Sequence, residues 1–333
     1  MFPRIGIAAV AGISGCLAAC GLAQPAGEPP RAGVPVAAQP SGEFASAEDL
    51  LAALEKADER LESLAAGIRY TRTFELQGDR QVRMGDLYFV SGGNPAPGDA
   101  PVAAPPAGRK FAVVFNQVRV GEVVRDDPKV YIFDGRWLVE KFPQERPPLF
   151  IKREVVAPGE SFDPLRIGEG PFPLPIGQKR ADILRRYTVE LLPAAAGLEA
   201  DPEAPPDEAA TAAALKEFVA GSSHIRLVPK PEFEADEELA EIHLWYRRDG
   251  AGNLLPRMAR TRDKSLNVSV VELINVQVQR TGEARNQRAA VPPDVLDTRE
   301  PAPGSGWEVQ VQAWRKPAAD GGPAREGPGA GEP

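Results

Sequence analysis

Residues 68–76 alternate strictly in character, Ile68-Arg69-Tyr70-Thr71-Arg72-Thr73-Phe74-Glu75-Leu76, and segments of this kind recur almost to the end of the 333-residue chain. A period of two gives a strand one apolar and one wet face, the pattern of an antiparallel sheet with one face buried. Further strands are expected at 82–90, 111–115, 118–125, 129–133, 136–140, 150–156, 224–229, 241–247, 254–262, 265–279 and 307–314. Asp134-Gly135 lies between the apolar runs Val130-Tyr131-Ile132-Phe133 and Trp137-Leu138-Val139. Such a dipeptide is the strongest short-range signal for a hairpin. About ten strands in one flat sheet would be unusual, so the sheet is expected to curl into a barrel or half-barrel. The sequence shows no internal repeat.

One helix precedes the strands. Ser46-Ala47-Glu48-Asp49 forms a capping-box-like start, with Asp in the place of the usual Glu. Leu50, Leu54, Ala57, Leu61, Leu64 and Ile68 follow at steps of three and four, with charged residues on the other face. This spacing predicts an amphipathic helix of about twenty residues, whose plainest role is to cover the sheet. The fold class is therefore α+β. The 32 glycines and 35 prolines gather between these elements. Residues 91–108 and 193–221 read as insertions, the second with a short helix near 208–220. Gly170-Pro171-Phe172-Pro173-Leu174-Pro175-Ile176-Gly177 cannot be a central strand, because its prolines remove hydrogen-bond donors and fix φ. It reads as an apolar loop before a helix at 178–187. Residues 316–333 read as a disordered tail.

The amino terminus carries an export signal. Arg4 is followed by a wholly small or apolar run from Ile5 to Ala19. As a helix this run would rise about 22 Å, short of the roughly 30 Å hydrocarbon core, which suits a removable signal peptide at residues 1–19. Leu17-Ala18-Ala19-Cys20 resembles a bacterial lipobox, in which the Cys20 thiol accepts a lipid and anchors the protein. A cut after Ala23 also fits, since Gly21 and Ala23 are small. Cys16 lies within the signal, so Cys20 would be a lone thiol with no disulfide partner. Residues 20–45 then form a flexible tether.

Several function classes are disfavoured. The net charge of −8 does not suit a general nucleic-acid binder. Only two histidines are present, which leaves little material for a metal site, and no phosphate-binding glycine loop occurs. Ser223 and His224 are adjacent on an expected strand and would point to opposite faces, so they cannot pair as nucleophile and base. His243 has no second His at metalloprotease spacing. Both histidines read as ordinary strand residues, and the acidic run 232–241 reads as a solvated face. Neither a catalytic residue, a metal nor a cofactor is expected.

The order of several phrases resembles the outer-membrane lipoprotein carrier family, the LolA-like proteins, together with their LolB- and RseB-type relatives. The leading helix passes into Tyr70-Thr71-Arg72-Thr73-Phe74. Gly85-Asp86-Leu87-Tyr88-Phe89, Gly108-Arg109-Lys110-Phe111, Tyr131-Ile132-Phe133-Asp134-Gly135-Arg136-Trp137-Leu138, Pro171-Phe172, Leu227-Val228-Pro229-Lys230 and Val271-Glu272-Leu273-Ile274-Asn275 follow in the family's order. The resemblance covers roughly residues 46–315. It implies a half-open antiparallel barrel, capped by the leading helix and a small helical or loop lid, whose apolar interior holds the acyl chains of lipoproteins.

On that reading Phe74, Leu87, Phe89, Phe111, Val113 and Phe115 line the cavity, as do Tyr131, Phe133, Trp137 and Leu138. Alternation independently puts Phe111, Val113 and Phe115 on one face, and Tyr131 and Phe133 on one face. Phe172, Leu174 and Ile176 are lid candidates. The family uses an Arg near the Gly108-Arg109-Lys110-Phe111 phrase to control closure; at the shifted spacing here, Arg109 reads as a solvated turn residue. The implied role is a non-enzymatic periplasmic carrier, chaperone or acceptor. Its partners would be acylated lipoproteins or lipids, an inner-membrane release complex, and a membrane, favouring the outer one, reached through lipid on Cys20. A lipid-sensing regulator of the same fold and a structural envelope lipoprotein with a filled barrel are the alternatives.

Overall fold

A computed structural model describes residues 43–74, 76, 78–92, 108–156, 172–174, 176–177, 179–200, 206–235 and 237–314. The signal segment, Cys20, nearly all of the tether, most of the first insertion and the C-terminal tail lie outside the described residues.

Ser46 caps the first helix, α1 (Ala47–Asp58), as its sequence predicts: its hydroxyl oxygen accepts from the Asp49 amide at 3.1 Å. The helix is shorter than expected. It ends at Glu59, and β1 (Leu61–Phe74) begins two residues later. Leu61, Leu64 and Ile68 fit a helical stripe by spacing, but they are buried along a strand. Pairing with strands on both sides gives that backbone a full set of partners, which outweighs local spacing.

Six strands then run as a meander: β1, β2 (Asp79–Val90), β3 (Lys110–Val120), β4 (Val123–Phe133), β5 (Trp137–Phe142) and β6 (Leu149–Glu154). The two short strands expected between 111 and 125 are instead the long β3, a turn at Gly121-Glu122 and the start of β4. The Asp134-Gly135 hairpin forms. The Asp134 carboxylate accepts from the amides of Arg136 and Trp137 at 3.0 and 2.8 Å, and Gly135 takes a φ of 104°, a region that side chains disfavour.

A second meander follows α2 (Arg180–Arg186): β7 (Tyr187–Leu192), α3 (Pro206–Phe218), β8 (Ser223–Pro229), β9 (Leu239–Arg248), β10 (Leu254–Asp263) and β11 (Val268–Arg280). The pairing of β1 with β11 joins the two meanders. A bulge at Asn275, with φ 53°, lets three residues of β11 span two of β1. After β11 the chain crosses to the far edge, where β12 (Glu308–Gln312) adds in parallel to β6. The result is one twelve-stranded sheet, with β12 and β7 at its two edges and no closure between them. The twelve segments expected fall on eleven of these strands, since those at 111–115, 118–125 and 129–133 share β3 and β4, and β7 is the twelfth. Strand β7 was hidden in the sequence because its few residues follow directly on a helical pattern.

Both faces of the sheet are covered. On what we call the inner face, α1 and α2 bury Leu50, Leu51, Leu54 and Ile183 against Ile225, Leu227, Ile242 and Leu244 of β8 and β9. Further along the same face, Phe172, Leu174 and Ile176 cover β1 to β4 and β11. On the outer face, Ala194, Leu198, Leu215, Phe218 and Val219 cover Trp245, Met258 and Val270, and the segment around Val295, Leu296 and Trp307 covers Ala112, Ile132, Val139 and Phe150. Phe44, the last part of the expected tether, packs against the cluster under α1, and Glu43 pairs with Arg248 at 2.5 Å.

Gly85 sits at the β2–β3 register shift, where a Cβ would lie 1.9 Å from the Val114 carbonyl oxygen. Gly85→Ala is therefore expected to lower stability by about 3 kcal/mol, read as a lower urea midpoint at unchanged m. An unaltered midpoint would show that this close approach is not a constraint.

Candidate functional site

Phe172 is the centre of the inner face between β1 and β4. Its ring stands edge-on to Tyr70 at 5.4 Å, to Phe115 at 5.5 Å and to Tyr131 at 4.9 Å between centroids. Tyr70 and Phe115 stack on each other at 6.1 Å, closing three sides of an aromatic box. Leu174 and Ile176 extend the same cover, at 2% and 3% exposure. Within the cover the Leu174 amide donates to the Phe172 carbonyl at 2.9 Å, and Arg109 donates to the Gly177 carbonyl at 2.6 Å. Arg109 is thus tied to this loop and is not a solvated turn residue. Its position just before β3 brings its side chain up to the loop, a contact that sequence spacing does not reveal.

Leu87, Phe89, Phe111, Val113, Phe115 and Phe133 are buried in one cluster with the loop residues, and Tyr131 and Leu138 pack at its margin. Phe111 and Phe133 stack at 6.0 Å, on directly paired positions of β3 and β4. Phe74 lies at the mouth of a cavity further along the same face. Trp137 does not join the set. It shares the outer face of β5 with Val139, beneath the Lys152 ammonium at 5.1 Å. The hairpin turn at Asp134 sets that parity, so Leu138 faces inward and Trp137 outward.

The cavity has a volume of about 220 Å³ and is lined by Tyr70, Arg72, Phe74, Gln81, Arg83, Phe115, Lys129, Tyr131 and Phe172. Burial and the neighbouring Glu140 carboxylate push the Tyr131 phenol above its ordinary range, so it stays a neutral hydroxyl. A second void, of about 20 Å³, lies where α1, Ile176 and β10 meet. It is little larger than one water.

Sequence reasoning missed a polar cluster on the outer face. His224 and His243 come together across β8 and β9, with His224 Nε2 2.8 Å from His243 Nδ1. The Pro193 carbonyl lies 3.0 Å from His224 Nδ1 and can only accept, so that nitrogen carries the hydrogen. His224 Nε2 must then accept from His243 Nδ1–H. Trp245 stacks on His224 at 4.1 Å, and its indole donates to the Ala194 carbonyl at 2.7 Å. The pair therefore fastens the 193–198 turn to the sheet. Glu241 lies 3.3 Å from His243 Nε2 and also meets Arg226 and Arg262, while Arg260 donates to the Gly197 carbonyl.

The acidic run is also more than a solvated face: Glu237 is buried, pairs with Arg186 and accepts from the Tyr187 hydroxyl at 3.0 Å. Ser222 Oγ has no hydrogen-bond partner among the described residues, so it forms no pair with His224. Among the described residues no group of three His, Cys, Asp or Glu is placed to hold a metal, and no helix is long and apolar enough to cross a membrane.

No family model matches the chain, and no curated protein matches it. Solved structures do. An uncharacterized conserved protein from Thermus thermophilus is 10% identical with a TM-score of 0.32, over 80% of this chain and 99% of that one. A LolA superfamily protein from Nitrosomonas europaea is 14% identical with a TM-score of 0.26, over 68% and 92%. The MucA/MucB complex structure from Pseudomonas aeruginosa is 12% identical with a TM-score of 0.32, over 72% of this chain and 58% of that one. The LolA superfamily, which the sequence phrases resemble, is thus among the structural neighbours. At such identities and scores none of these neighbours speaks for the chemistry of this chain.

Burial lowers the proton affinity of both histidines, and that of His224 falls from 6.5 to about 4. A depressed folded value means that the neutral form stabilises the fold above pH 6.5 and that this contribution is lost as pH falls toward 4. About 2 kcal/mol of it should be gone by pH 5, read by urea unfolding between pH 7 and 5. His224→Gln should flatten that slope. An equally steep slope in the variant would place the acid sensitivity elsewhere.

Proposed function

We propose that the inner face accepts acyl chains, and that the protein is a non-enzymatic carrier or acceptor of acylated lipoproteins in the cell envelope. The observation that carries this reading is the cover over β1 to β4. Three apolar side chains, Phe172, Leu174 and Ile176, fill a concentration of aromatic and aliphatic residues over which the described residues place no helix. An acyl chain has the same chemistry as that loop. Each methylene it buries is worth about 0.8 kcal/mol, so it can replace the loop without any polar recognition. The apolar run 5–19 and Cys20 support export and lipid anchoring, with the periplasmic side of the outer membrane as the destination.

The full chain carrying Cys20→Ser, purified from a periplasm, removes the anchor and tests the reading by native mass spectrometry. A triacylated lipopeptide should add once per chain. Phe172→Ala should lower the stability of the free protein yet tighten the lipopeptide by roughly 30-fold, because about 2 kcal/mol of competing burial is gone. A chain that stays free of lipid in both forms would mean that the loop is permanent core and the protein a structural component of the envelope.

A further inference from the structure

We propose that the cavity beside Phe172 is a head-group subsite for an anionic, phosphate- or carboxylate-headed amphiphile whose acyl chain takes the place of Phe172. This rests on the acyl-binding reading and adds to it a charge requirement that an acylated lipoprotein terminus does not impose. The argument begins with where cations fall on the inner face. From Leu64 to Ile68 on β1, and from Phe111 to Phe115 on β3, the inward residues are apolar. The character then changes along the same strands. Arg72 follows Tyr70 on β1, Arg83 lies two residues before Gly85 on β2, and Lys129 lies two residues before Tyr131 on β4. All three line the cavity together with Tyr70, Phe115, Tyr131 and Phe172.

The cations outnumber their counter-charges. Asp127 accepts from Arg83 at 2.8 Å and lies 3.8 Å from Lys129, so one carboxylate serves two partly buried cations. The Arg83 and Lys129 side chains are only 16% and 23% exposed. Arg72 adds a third charge; its guanidinium lies over the Phe74 ring at 4.7 Å. Glu140, opposite Tyr131 on β5, is already engaged by Arg153 at 2.7 Å. Among the described residues the wall thus carries three positive charges against the one of Asp127, and two of them, Arg83 and Lys129, are held where solvation is reduced, while Arg72 is exposed at the rim. A bound anion corrects that imbalance, and Arg and Lys are suited to hold phosphate or carboxylate oxygens. Gln81 and the Tyr131 hydroxyl offer neutral donors beside them. The same cavity is bounded by the Phe172 ring, so an anion held here has its chain directed at the residue it would displace. One end of the site is charged and the other apolar, which is the polarity of an ionic lipid.

The test uses the full chain with Cys20→Ser and three probes with the same palmitoyl chain: lysophosphatidylglycerol, lysophosphatidylcholine and monopalmitoylglycerol, each below its micelle concentration. Lysophosphatidylglycerol should bind at least 10-fold more tightly than monopalmitoylglycerol, with the zwitterion between them. Lys129→Gln and Arg72→Gln should each remove most of that preference while leaving monopalmitoylglycerol affinity within about 2-fold. Equal affinity for the three probes would overturn the subsite and leave the acyl-binding reading standing. Failure of every probe to bind would overturn both. Inorganic phosphate that binds as tightly as lysophosphatidylglycerol, and blocks it, would assign the cations to a free anion and overturn the amphiphile.

Discussion

An open sheet with an apolar inner face has to be covered along its whole width. Here the requirement is met in two ways. Over β7 to β10 the cover is α1 and α2, whose leucines and Ile183 interlock with β8 and β9. Over β1 to β4 it is a loop carrying Phe172, Leu174 and Ile176. Helix backbones satisfy their own hydrogen bonds, so a helical cover is a self-sufficient unit. The loop depends on what it touches: the aromatic box, the Gly177–Arg109 bond and the apolar rows of β1, β2 and β3. The two covers differ in kind. The proposed binding role of the β1–β4 half rests on that difference.

The outer face serves a different purpose. The second insertion is fastened over Trp245 and Met258 by the histidine pair and by Arg260, and the long C-terminal segment lies over Ile132 and Phe150 before adding β12 at the edge. Both segments turn wet sheet surface into core. They make the sheet a two-sided layer. The bulge at Asn275, between the two meanders, is where the pairing pattern bends.

Much of this was legible in the sequence, and the failures have physical causes. Ser46 and Asp134-Gly135 announced their structures because both act within four residues, through side-chain caps and turn geometry. The parity of Phe111, Val113 and Phe115 was equally plain, since alternation fixes it. The end of α1 was not: Leu61, Leu64 and Ile68 satisfy a helical stripe and a strand alike, and only pairing with β2 and β11 decides between them. Trp137 fell on the wrong face because the hairpin sets parity by one residue. The contacts His224–His243, Glu237–Arg186 and Arg109–Gly177 join residues 19, 51 and 68 positions apart. No local pattern encodes such contacts. The cation row was visible as letters, but its convergence on one cavity depends on register.

The account stands or falls on whether Phe172 leaves its box when an acyl chain arrives. Fluorine resonance of 4-fluorophenylalanine placed at position 172 measures this directly. The account predicts a shielded, ring-packed signal in the free protein that gives way to a solvent-exposed one as lipopeptide or lysophospholipid saturates a single site. A signal that stays ring-packed while lipid is demonstrably bound would contradict it, because the chain would then lie elsewhere and the loop would be ordinary core.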